Sequence, residues 1–333
     1  MPLPDFLIVG APKCGTTALH TFLKEHPDLY LARKEFHHFG TDLRPEGYAG
    51  KHHDAAHYEG LFDGAAPGQR RGESSVWYLS SQMAAEEIHA RNPEARIVIL
   101  LRNPVDMMYS LYNMFIWVRD LTPNGVIDRE TGRVLSFEEA LDTQEERKAQ
   151  LAREGDALAE AGRRVLRLFH TDAAMFSEQV ARYLDVFPRD QVHVVVHDDF
   201  VADADGTYRG VLRFLGVAED FQPIFRRVNA SRSFKSVWLH RLMNNHDALP
   251  LLRKALRAAV PRALRKKVFG LLGRANVQTR PQEPMREATR RRLEAHFRDD
   301  VEALGALLDR DLAALWLSSA SQAAPQATPQ AHG

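Results

Sequence analysis

The stretch that decides the fold is Phe6-Leu-Ile-Val-Gly-Ala-Pro-Lys-Cys-Gly-Thr-Thr17, near the start of the chain. It begins as a short apolar run that ends at Gly10, and a loop rich in glycine, proline and threonine follows. An amphipathic segment then extends from Thr17 to Glu25. This order predicts a strand, a loop and a helix, because each segment shows the periodicity or the turn residues of that element.

The loop has the spacing of a phosphate-binding loop. Four residues separate Gly10 from Gly15, and Thr16 and Thr17 follow directly. Glycines let the backbone curl so that its N–H groups point inward, and the start of a helix adds partial positive charge, so a dianion fits there. Nucleoside triphosphatases place a lysine after the second glycine, whereas the lysine of this loop is Lys13. A plain strand-to-helix connection is the structural alternative.

A second apolar run, Arg96-Ile-Val-Ile-Leu-Leu101, is typical of a buried parallel strand. Arg102 follows it, where a triphosphatase usually has an acidic residue that holds Mg²⁺. The forked guanidinium suits phosphate, so we expect phosphates to be bound directly, without a metal. Asn103 and Pro104 then predict the start of a helix that extends to about Trp117.

The rest of the chain alternates between strands and helices. We expect strands at 29–31 and 191–196 and helices at 83–91, 136–150, 171–187 and 205–215, with irregular structure over 40–72, a turn-rich insertion at 119–135 and mostly helix from 251 onward. The alternation predicts an α/β fold: a P-loop-like parallel sheet flanked by helices, with a helical C-terminal part at about 220–317. One domain is expected over 1–317, followed by a disordered tail over 318–333.

The composition narrows the classes of partner. Among the 333 residues, 44 Lys and Arg balance 44 Asp and Glu, so global charge gives no indication of nucleic-acid binding. Cys14 is the single cysteine, which excludes an internal disulfide and a cysteine zinc cluster. The longest aliphatic run, 97–101, is far shorter than the ~20 residues of a membrane-spanning helix. Because the first residues also lack the basic region of a signal peptide, we expect a cytoplasmic protein.

Two motifs together resemble a known family. PKCGTT at 12–17 is similar to the 5′-phosphosulfate loop of sulfotransferases that use 3′-phosphoadenylyl sulfate (PAPS), and LRNPVDMMYSLYNMF at 101–115 resembles their 3′-phosphate motif. FPRDQVHVVVHDDF at 187–200 resembles a further family strand, and the resemblance extends over about 4–317. It favours the bacterial and Golgi carbohydrate-type branch. It implies PAPS as co-substrate, no metal, and the binding residues Pro12, Lys13, Cys14, Gly15, Thr16 and Thr17 for the phosphosulfate and Arg102 and Ser110 for the 3′-phosphate.

A third segment, Lys34-Glu-Phe-His-His-Phe39, resembles the K-E-x-H-F-F stretch of heparan-type sulfotransferases, whose glutamate deprotonates the acceptor hydroxyl. The resemblance implies that Glu35 is the catalytic base, while Lys13 is the cation that stabilises the leaving phosphate. His37 or His38 is the rival base, since imidazole titrates near neutrality. The structural alternative is a solvated glutamate with histidines packed beneath a loop.

Glu73-Ser-Ser-Val-Trp-Tyr-Leu79 resembles the family segment E-K-T-P-x-Y, with Ser74 where heparan-type enzymes have a lysine. That second cation is therefore missing, which weakens the expectation of a heparan-like acceptor. Trp77 or Tyr78 either stacks on the adenine, lines the acceptor cleft, or belongs to the core.

Histidines also cluster at 52–57 beside Asp54, and either a zinc site or a solvated loop accounts for them; the loop is favoured. Residues 251–298 carry 14 Lys and Arg against 3 Asp and Glu, a net charge of +11. Apolar residues recur there at roughly helical spacing, so this segment is either a packed helix with a solvated basic face or a peripheral contact with an anionic membrane or acceptor. Arg232 and Lys235 are weaker candidates for nucleotide contacts.

The sequence thus predicts a sulfotransferase that moves a sulfuryl group from PAPS to a hydroxyl of a glycan, glycolipid or small natural product. Two alternatives stay open at this point. One is a P-loop kinase or triphosphatase, and the other is a non-catalytic protein that binds anions or a membrane surface through 251–298.

Overall fold

The computed structural model describes residues 3–43, 54–118, 126, 128, 131, 133–153, 170–225, 232–234, 277–279 and 284–317. Its centre is a five-stranded parallel sheet in the spatial order β2-β3-β1-β4-β5. The strands are β1 Phe6–Gly10, β2 Leu29–Leu31, β3 Arg70–Ser74, β4 Arg96–Leu101 and β5 Val192–Val196.

Helices connect and cover the strands. They are α1 Thr16–Leu23, α2 Ala55–Glu59, α3 Ala84–Arg91, α4 Pro104–Val118, α5 Phe137–Asp142, α6 Gln144–Arg153, α7 Phe176–Val186, α8 His197–Ala202, α9 Ala204–Leu215, α10 Glu287–Leu308 and α11 Leu312–Trp316. Two further strands, β6 Arg232–Phe234 and β7 Val277–Thr279, form a small antiparallel pair. The predicted α/β architecture, a parallel sheet with flanking and C-terminal helices, is confirmed.

The core lies at the middle of the sheet. Every residue of β1 is buried, and so are the five apolar residues of β4. Successive side chains of a strand point to opposite faces, so this pattern means that both faces of the sheet are covered. Each fully buried aliphatic or aromatic side chain contributes about 1.5–3 kcal/mol. The buried strands β1 and β4 therefore fix the positions of their carboxyl ends, where the predicted phosphate loop and Arg102 lie.

The expectation of irregular structure over 40–72 was wrong for β3. Its sequence, Arg-Arg-Gly-Glu-Ser, has no apolar periodicity, yet the strand pairs with both β2 and β1. Gly72 lies opposite Phe6, and a Cβ at this position would approach the Phe6 ring to 2.2 Å. The pairing of β3 with β1 therefore requires a glycine at 72, which a pattern of hydrophobicity does not reveal.

Hydrogen bonds hold α11, near the end of the described residues, beside the carboxyl ends of β4 and β5. The Asn103 side-chain oxygen accepts the Val105 N–H at 2.9 Å and caps α4, as predicted. Its amide donates to the Trp316 carbonyl at 2.6 Å, and the Trp316 indole donates to Asp198 at 2.9 Å. Helix α11 thus joins the segments that follow two neighbouring strands.

The basic segment 251–298 is only partly described, since 251–276 and 280–283 lie outside the described residues. The expectation of mostly helix was wrong at Val277–Thr279, which is strand β7. Within α10, Arg290 pairs with Asp106 at 2.6 Å and Arg292 with Asp142 at 2.8 Å, so part of the basic charge is neutralised by carboxylates of the protein. The tail over 318–333 also lies outside the described residues. In the part of the chain that is described, no helix is long and apolar enough to cross a membrane.

Candidate functional site

The phosphate loop lies at the carboxyl end of β1, as the sequence predicted. The Ala11 N–H donates to the Leu100 carbonyl at 2.7 Å, which ties the loop to β4. Gly15 precedes α1 with φ at 96°, and a Cβ there would come within 3.3 Å of the His197 ring and 3.4 Å of Phe200. The positive φ favours glycine, and the approach to the His197 ring leaves little room for a side chain. The N–H groups of Thr16 and Thr17 come before the first hydrogen bonds of α1, which the Ala18 and Leu19 N–H groups make to the Gly15 carbonyl, so the start of the helix suits an anion.

Lys13 and Arg102 bring two positive charges together beside this loop. Both side chains are partly buried, and burial, followed by the charge of Arg102, lowers the pKa of Lys13. Burial and then Arg102 also lower the pKa of His197, the first residue of α8. No carboxylate among the described residues forms an ion pair with Lys13 or Arg102. Two converging cations without an acidic partner favour the binding of an anionic ligand.

A third cation, Lys34, was missed as a site residue. Its Nζ donates to Thr17 Oγ1 at 3.1 Å, lies 3.5 Å from Thr16 Oγ1, and is 3.7 Å from Glu35 Oε1. Burial lowers the pKa of Lys34, while the neighbouring Glu35 opposes that effect. The only sequence signal was its place in front of the glutamate in the K-E-x-H-F-F resemblance. The structure shows that this ammonium joins the phosphate loop to the candidate base.

Glu35 lies four residues after the end of β2 and beside the end of β3. Its backbone N–H donates to the Ser74 carbonyl at 2.8 Å, and its side chain stays 39% exposed. Glu35 Oε2 is 3.1 Å from His37 Nε2 and accepts the Val76 N–H at 3.4 Å. Burial raises the pKa of Glu35, but the His37 hydrogen bond and the charge of Lys34 outweigh burial, so the net shift is downward. The carboxylate is therefore ionised at neutral pH and accessible to a ligand.

The two rival histidines have different surroundings. The His37 ring contacts Glu35, and its backbone N–H donates to Ser75 Oγ at 3.0 Å. The His38 ring stacks on Tyr58 with the ring centres 4.0 Å apart and the planes 5° from parallel. Of the two, His37 shares the site of the candidate base, and His38 packs against an aromatic side chain.

Ser110 and Cys14 complete the predicted binding residues. Ser110 is partly buried on α4, the helix that follows Arg102. Cys14 is fully buried, its thiol contacts the Pro12 carbonyl at 3.4 Å, and burial raises the pKa of the thiol to about 12. Because that side chain faces the core, Cys14 can serve a ligand only through its backbone.

Trp77 and Tyr78 belong to the core. Both are buried, and the Tyr78 hydroxyl donates to Glu73 at 3.1 Å instead of facing a cleft. Ser74, at the position of the missing lysine, is also fully buried. Stacking on the adenine or lining the acceptor cleft is therefore not the role of these aromatic rings in this structure.

The zinc alternative fell on residues that are only partly described. His57 lies in α2 with its ring centre 5.6 Å from that of Phe36, while His52 and His53 lie outside the described residues. Among the residues described, no group of three His, Cys, Asp or Glu could hold a metal ion. Arg232 forms part of β6, and Lys235 lies outside the described residues.

A separate open cleft of about 880 Å³ lies away from this site, at the opposite edge of the sheet. It is lined by residues that precede or begin the strands, including Asp5, Asp28 and Arg70, and by Gly216 after α9. Neither the phosphate loop nor Glu35 contributes to it, so the candidate site is the partly exposed carboxyl edge of β1, β3 and β4.

A parallel sheet with a phosphate loop after β1, cations beside the loop and a carboxylate within reach defines a P-loop-like group-transfer enzyme. Residues 3–259 match the family model of the sulfotransferase domain. The chain therefore belongs to the sulfotransferase family. This membership sets aside the kinase or triphosphatase alternative and the non-catalytic alternative.

Known relatives and a solved structure agree with this family. The chain is 26% identical to heparan sulfate glucosamine 3-O-sulfotransferase 6 of Mus musculus, over 89% of this chain and 69% of that protein. It is 34% identical to carbohydrate sulfotransferase 15 of Homo sapiens over 34% of this chain and 27% of that protein. The crystal structure of a sulfotransferase from Alicyclobacillus acidocaldarius superposes with a TM-score of 0.65 at 29% identity, over 94% of this chain and 99% of that one.

Proposed function

We propose that this enzyme transfers the sulfuryl group of PAPS to a hydroxyl of a carbohydrate acceptor. The observation that carries the proposal is the position of Lys34, whose ammonium is 3.1 Å from the Thr17 hydroxyl and 3.7 Å from the Glu35 carboxylate. One side chain thus contacts both the loop suited to a phosphosulfate and a carboxylate suited to an acceptor hydroxyl. Donor and acceptor groups would therefore meet at this point.

The chemistry of the described residues fits PAPS. The start of α1, the Thr16 and Thr17 hydroxyls and Lys13 supply donors and positive charge for the phosphosulfate. Arg102, which has no acidic partner among the described residues, and Ser110 on α4 would bind the 3′-phosphate. Positive charge supplied by the protein is sufficient for these contacts, and the proposal needs no metal ion.

The geometry supports an in-line transfer with Glu35 as base. Glu35 takes the proton of the acceptor hydroxyl as that oxygen forms its bond to sulfur, and the bond from sulfur to the 5′-phosphate oxygen breaks. The products are a sulfate ester and 3′,5′-ADP. Lys13 and Lys34 stabilise the negative charge that develops on the leaving phosphate. His37 holds the Glu35 carboxylate through the 3.1 Å contact and is not itself the base in this scheme.

A carbohydrate acceptor is inferred from the relatives, whose names state heparan sulfate and carbohydrate as their substrates. Heparan-type enzymes have a lysine where this chain has the buried Ser74, so that cation is absent here, which favours an acceptor with less negative charge than heparan sulfate. A neutral glycan or glycolipid hydroxyl fits this difference best.

Nucleotide binding tests the donor side. A ligand that binds only the folded state raises the melting temperature, so 3′,5′-ADP should stabilise the protein more than 5′-AMP, ADP or ATP do. Its effect should persist in EDTA. A requirement for Mg²⁺, or a preference for ATP, would contradict the proposal.

Sulfate transfer from labelled PAPS tests the acceptor side. Neutral glycans, heparan sulfate and small hydroxylated natural products are offered in parallel, and transfer to a glycan is expected. Glu35→Gln keeps the size of the side chain but removes its basicity, so it should lower turnover by ~10²–10⁴-fold and leave 3′,5′-ADP affinity nearly unchanged. A fully active Glu35→Gln enzyme together with an inactive His37→Ala enzyme would assign the base to the imidazole. Transfer only to small natural products would overturn the carbohydrate acceptor.

A further inference from the structure

We propose that Glu73 is a positioning residue of the transfer site, and that its carboxyl group holds the backbone of the segment Glu35–Phe39 through the hydroxyls of Ser75 and Tyr78. This inference rests on the proposed function of Glu35 as the base. It assigns a role to a buried acidic residue that the transfer chemistry itself does not use.

The Glu73 carboxyl group is fully buried at the end of β3. Among the described residues, its hydrogen-bond donors are all hydroxyl groups: Tyr58 donates to Oε2 at 3.0 Å, Tyr78 donates to Oε1 at 3.1 Å, and Ser75 also donates to Oε1. Within the described part of the chain, no lysine or arginine forms an ion pair with it. Hydrogen-bond donors lower the cost of burying a carboxyl group that has no cation, and these three hydroxyls supply them here.

Two of these hydroxyls also accept backbone N–H groups from the candidate catalytic segment. Ser75 Oγ accepts the His37 N–H at 3.0 Å, and the Tyr78 hydroxyl accepts the Phe39 N–H at 3.1 Å. A hydroxyl has one proton to donate, and an N–H that it accepts leaves that proton free for another acceptor. Both relays therefore run in one direction, from the backbone through the hydroxyl to Glu73 Oε1.

The relay through Ser75 holds a backbone that an ordinary residue seldom adopts. Glu35 has φ at 60° and His37 has φ at 57°, both in the left-handed region that favours glycine. With the His37 N–H bound to Ser75, the imidazole Nε2 lies 3.1 Å from Glu35 Oε2. The direction in which the candidate base points thus depends on a hydrogen-bonded chain that ends at Glu73.

The two oxygens of the Glu73 carboxyl group accept hydrogen bonds from different partners. Oε1 receives both relays, whereas the hydrogen bond that Oε2 receives comes from Tyr58. A proton on Oε2 can be donated to the Tyr58 oxygen without disturbing Oε1. A glutamine side chain can do the same, with its oxygen at the Oε1 position and its amide nitrogen facing Tyr58. Glutamine should therefore preserve the relays, and leucine, which has a similar volume, should abolish them.

The test compares Ser75→Ala, Glu73→Leu and Glu73→Gln with Ser74→Ala as the matched control. Ser74 is the adjacent buried serine, and its hydroxyl has no hydrogen-bond partner among the described residues. Each variant is assayed for kcat and KM of sulfate transfer and for 3′,5′-ADP affinity. The protonated nitrogen of the His37 ring is identified by ¹⁵N NMR.

Ser75→Ala and Glu73→Leu should lower kcat roughly 10–100-fold, as expected when a catalytic group is misplaced, with 3′,5′-ADP affinity nearly unchanged. In both, His37 should lose the Nε2–H form that faces Glu35. Glu73→Gln and Ser74→Ala should retain kcat and the wild-type His37 spectrum. A merely structural role would lower stability in all buried variants and leave the kcat of the folded enzyme intact.

Wild-type kcat and His37 spectrum in Ser75→Ala would overturn the inference, and so would a Glu73→Gln enzyme as impaired as Glu73→Leu. If Glu73→Leu does not fold, Ser75→Ala decides the result by itself. A fully active Glu35→Gln enzyme would instead refute the role of Glu35 as the base in the proposed function. The two failures are therefore distinguishable.

Discussion

Replacing Glu73 with glutamine should change how the stability of this protein depends on pH. Burial raises the pKa of Glu73 to about 7 from an ordinary value of 4.5, even though the hydroxyls of Ser75, Tyr58 and Tyr78 lower it; the charge of Glu35 raises it further. Between these pH values the folded state binds more protons than the unfolded state, so this group's contribution to the free energy of unfolding falls as pH rises. At 1.36 kcal/mol per pKa unit the total loss is about 3 kcal/mol, complete above pH 7.

The three tyrosines near Glu73, and Glu35, keep their charge over this range. Burial raises the pKa values of Tyr58, Tyr78 and Tyr183, so these side chains stay neutral. Glu35 has a lowered pKa and stays ionised. The change in protonation that distinguishes wild type from the glutamine variant is therefore that of Glu73.

Urea unfolding at pH 5, 6, 7 and 8 measures the effect for wild type, Glu73→Gln and the Ser74→Ala control. Near pH 5 the wild-type carboxyl is protonated and resembles the amide, so the two proteins should be close in stability. As pH rises to 8, Glu73→Gln should gain up to about 3 kcal/mol relative to wild type. The difference between Ser74→Ala and wild type should stay constant. Parallel curves for wild type and Glu73→Gln would refute the reasoning.

Three substitutions test the phosphate side of the site. Lys34→Met nearly keeps the length of the side chain but removes the positive charge between Thr17 and Glu35. Sulfate transfer measured in a single turnover should slow by roughly 10²-fold. A rate near wild type would show that Lys34 does not contact the reacting groups. Arg102→Ala should weaken 3′,5′-ADP binding by ~2 kcal/mol in calorimetry and change 5′-AMP binding little; equal losses would place Arg102 away from the 3′-phosphate. Gly15→Ala introduces a Cβ at φ 96°, which should destabilise the fold by about 1–2 kcal/mol in urea unfolding. Unchanged stability would contradict backbone strain at this position.

The elements that were predictable are those whose signal is local. Apolar runs at 6–9 and 96–101 identified β1 and β4, and Asn103 with Pro104 identified the start of α4. Each of these signals lies within a few positions along the chain: a continuous apolar run marks a strand that is buried on both faces, and capping residues act on the adjacent turn.

Strand β3 was not predictable in this way. Its residues are polar or small, and their burial comes from Phe6 of β1 and from the hydroxyls of Tyr58, Ser75 and Tyr78. Phe6 and Tyr58 lie far from this strand along the chain, so a window around 70–74 contains only part of the reason for the strand.

The sequence by itself determined which chemical groups this protein has and how the phosphate loop is spaced, because glycine spacing and the residue types that follow it are local properties. Only the tertiary structure decided that Lys34 joins Thr17 to Glu35, that His37 and not His38 reaches the carboxylate, and that Glu73 anchors their backbone. These contacts are made by residues at or after the carboxyl ends of β1, β2 and β3, which parallel pairing brings to the same edge of the sheet. Their geometry depends on strand register and on left-handed backbone at Glu35 and His37, which the order of residue types does not specify.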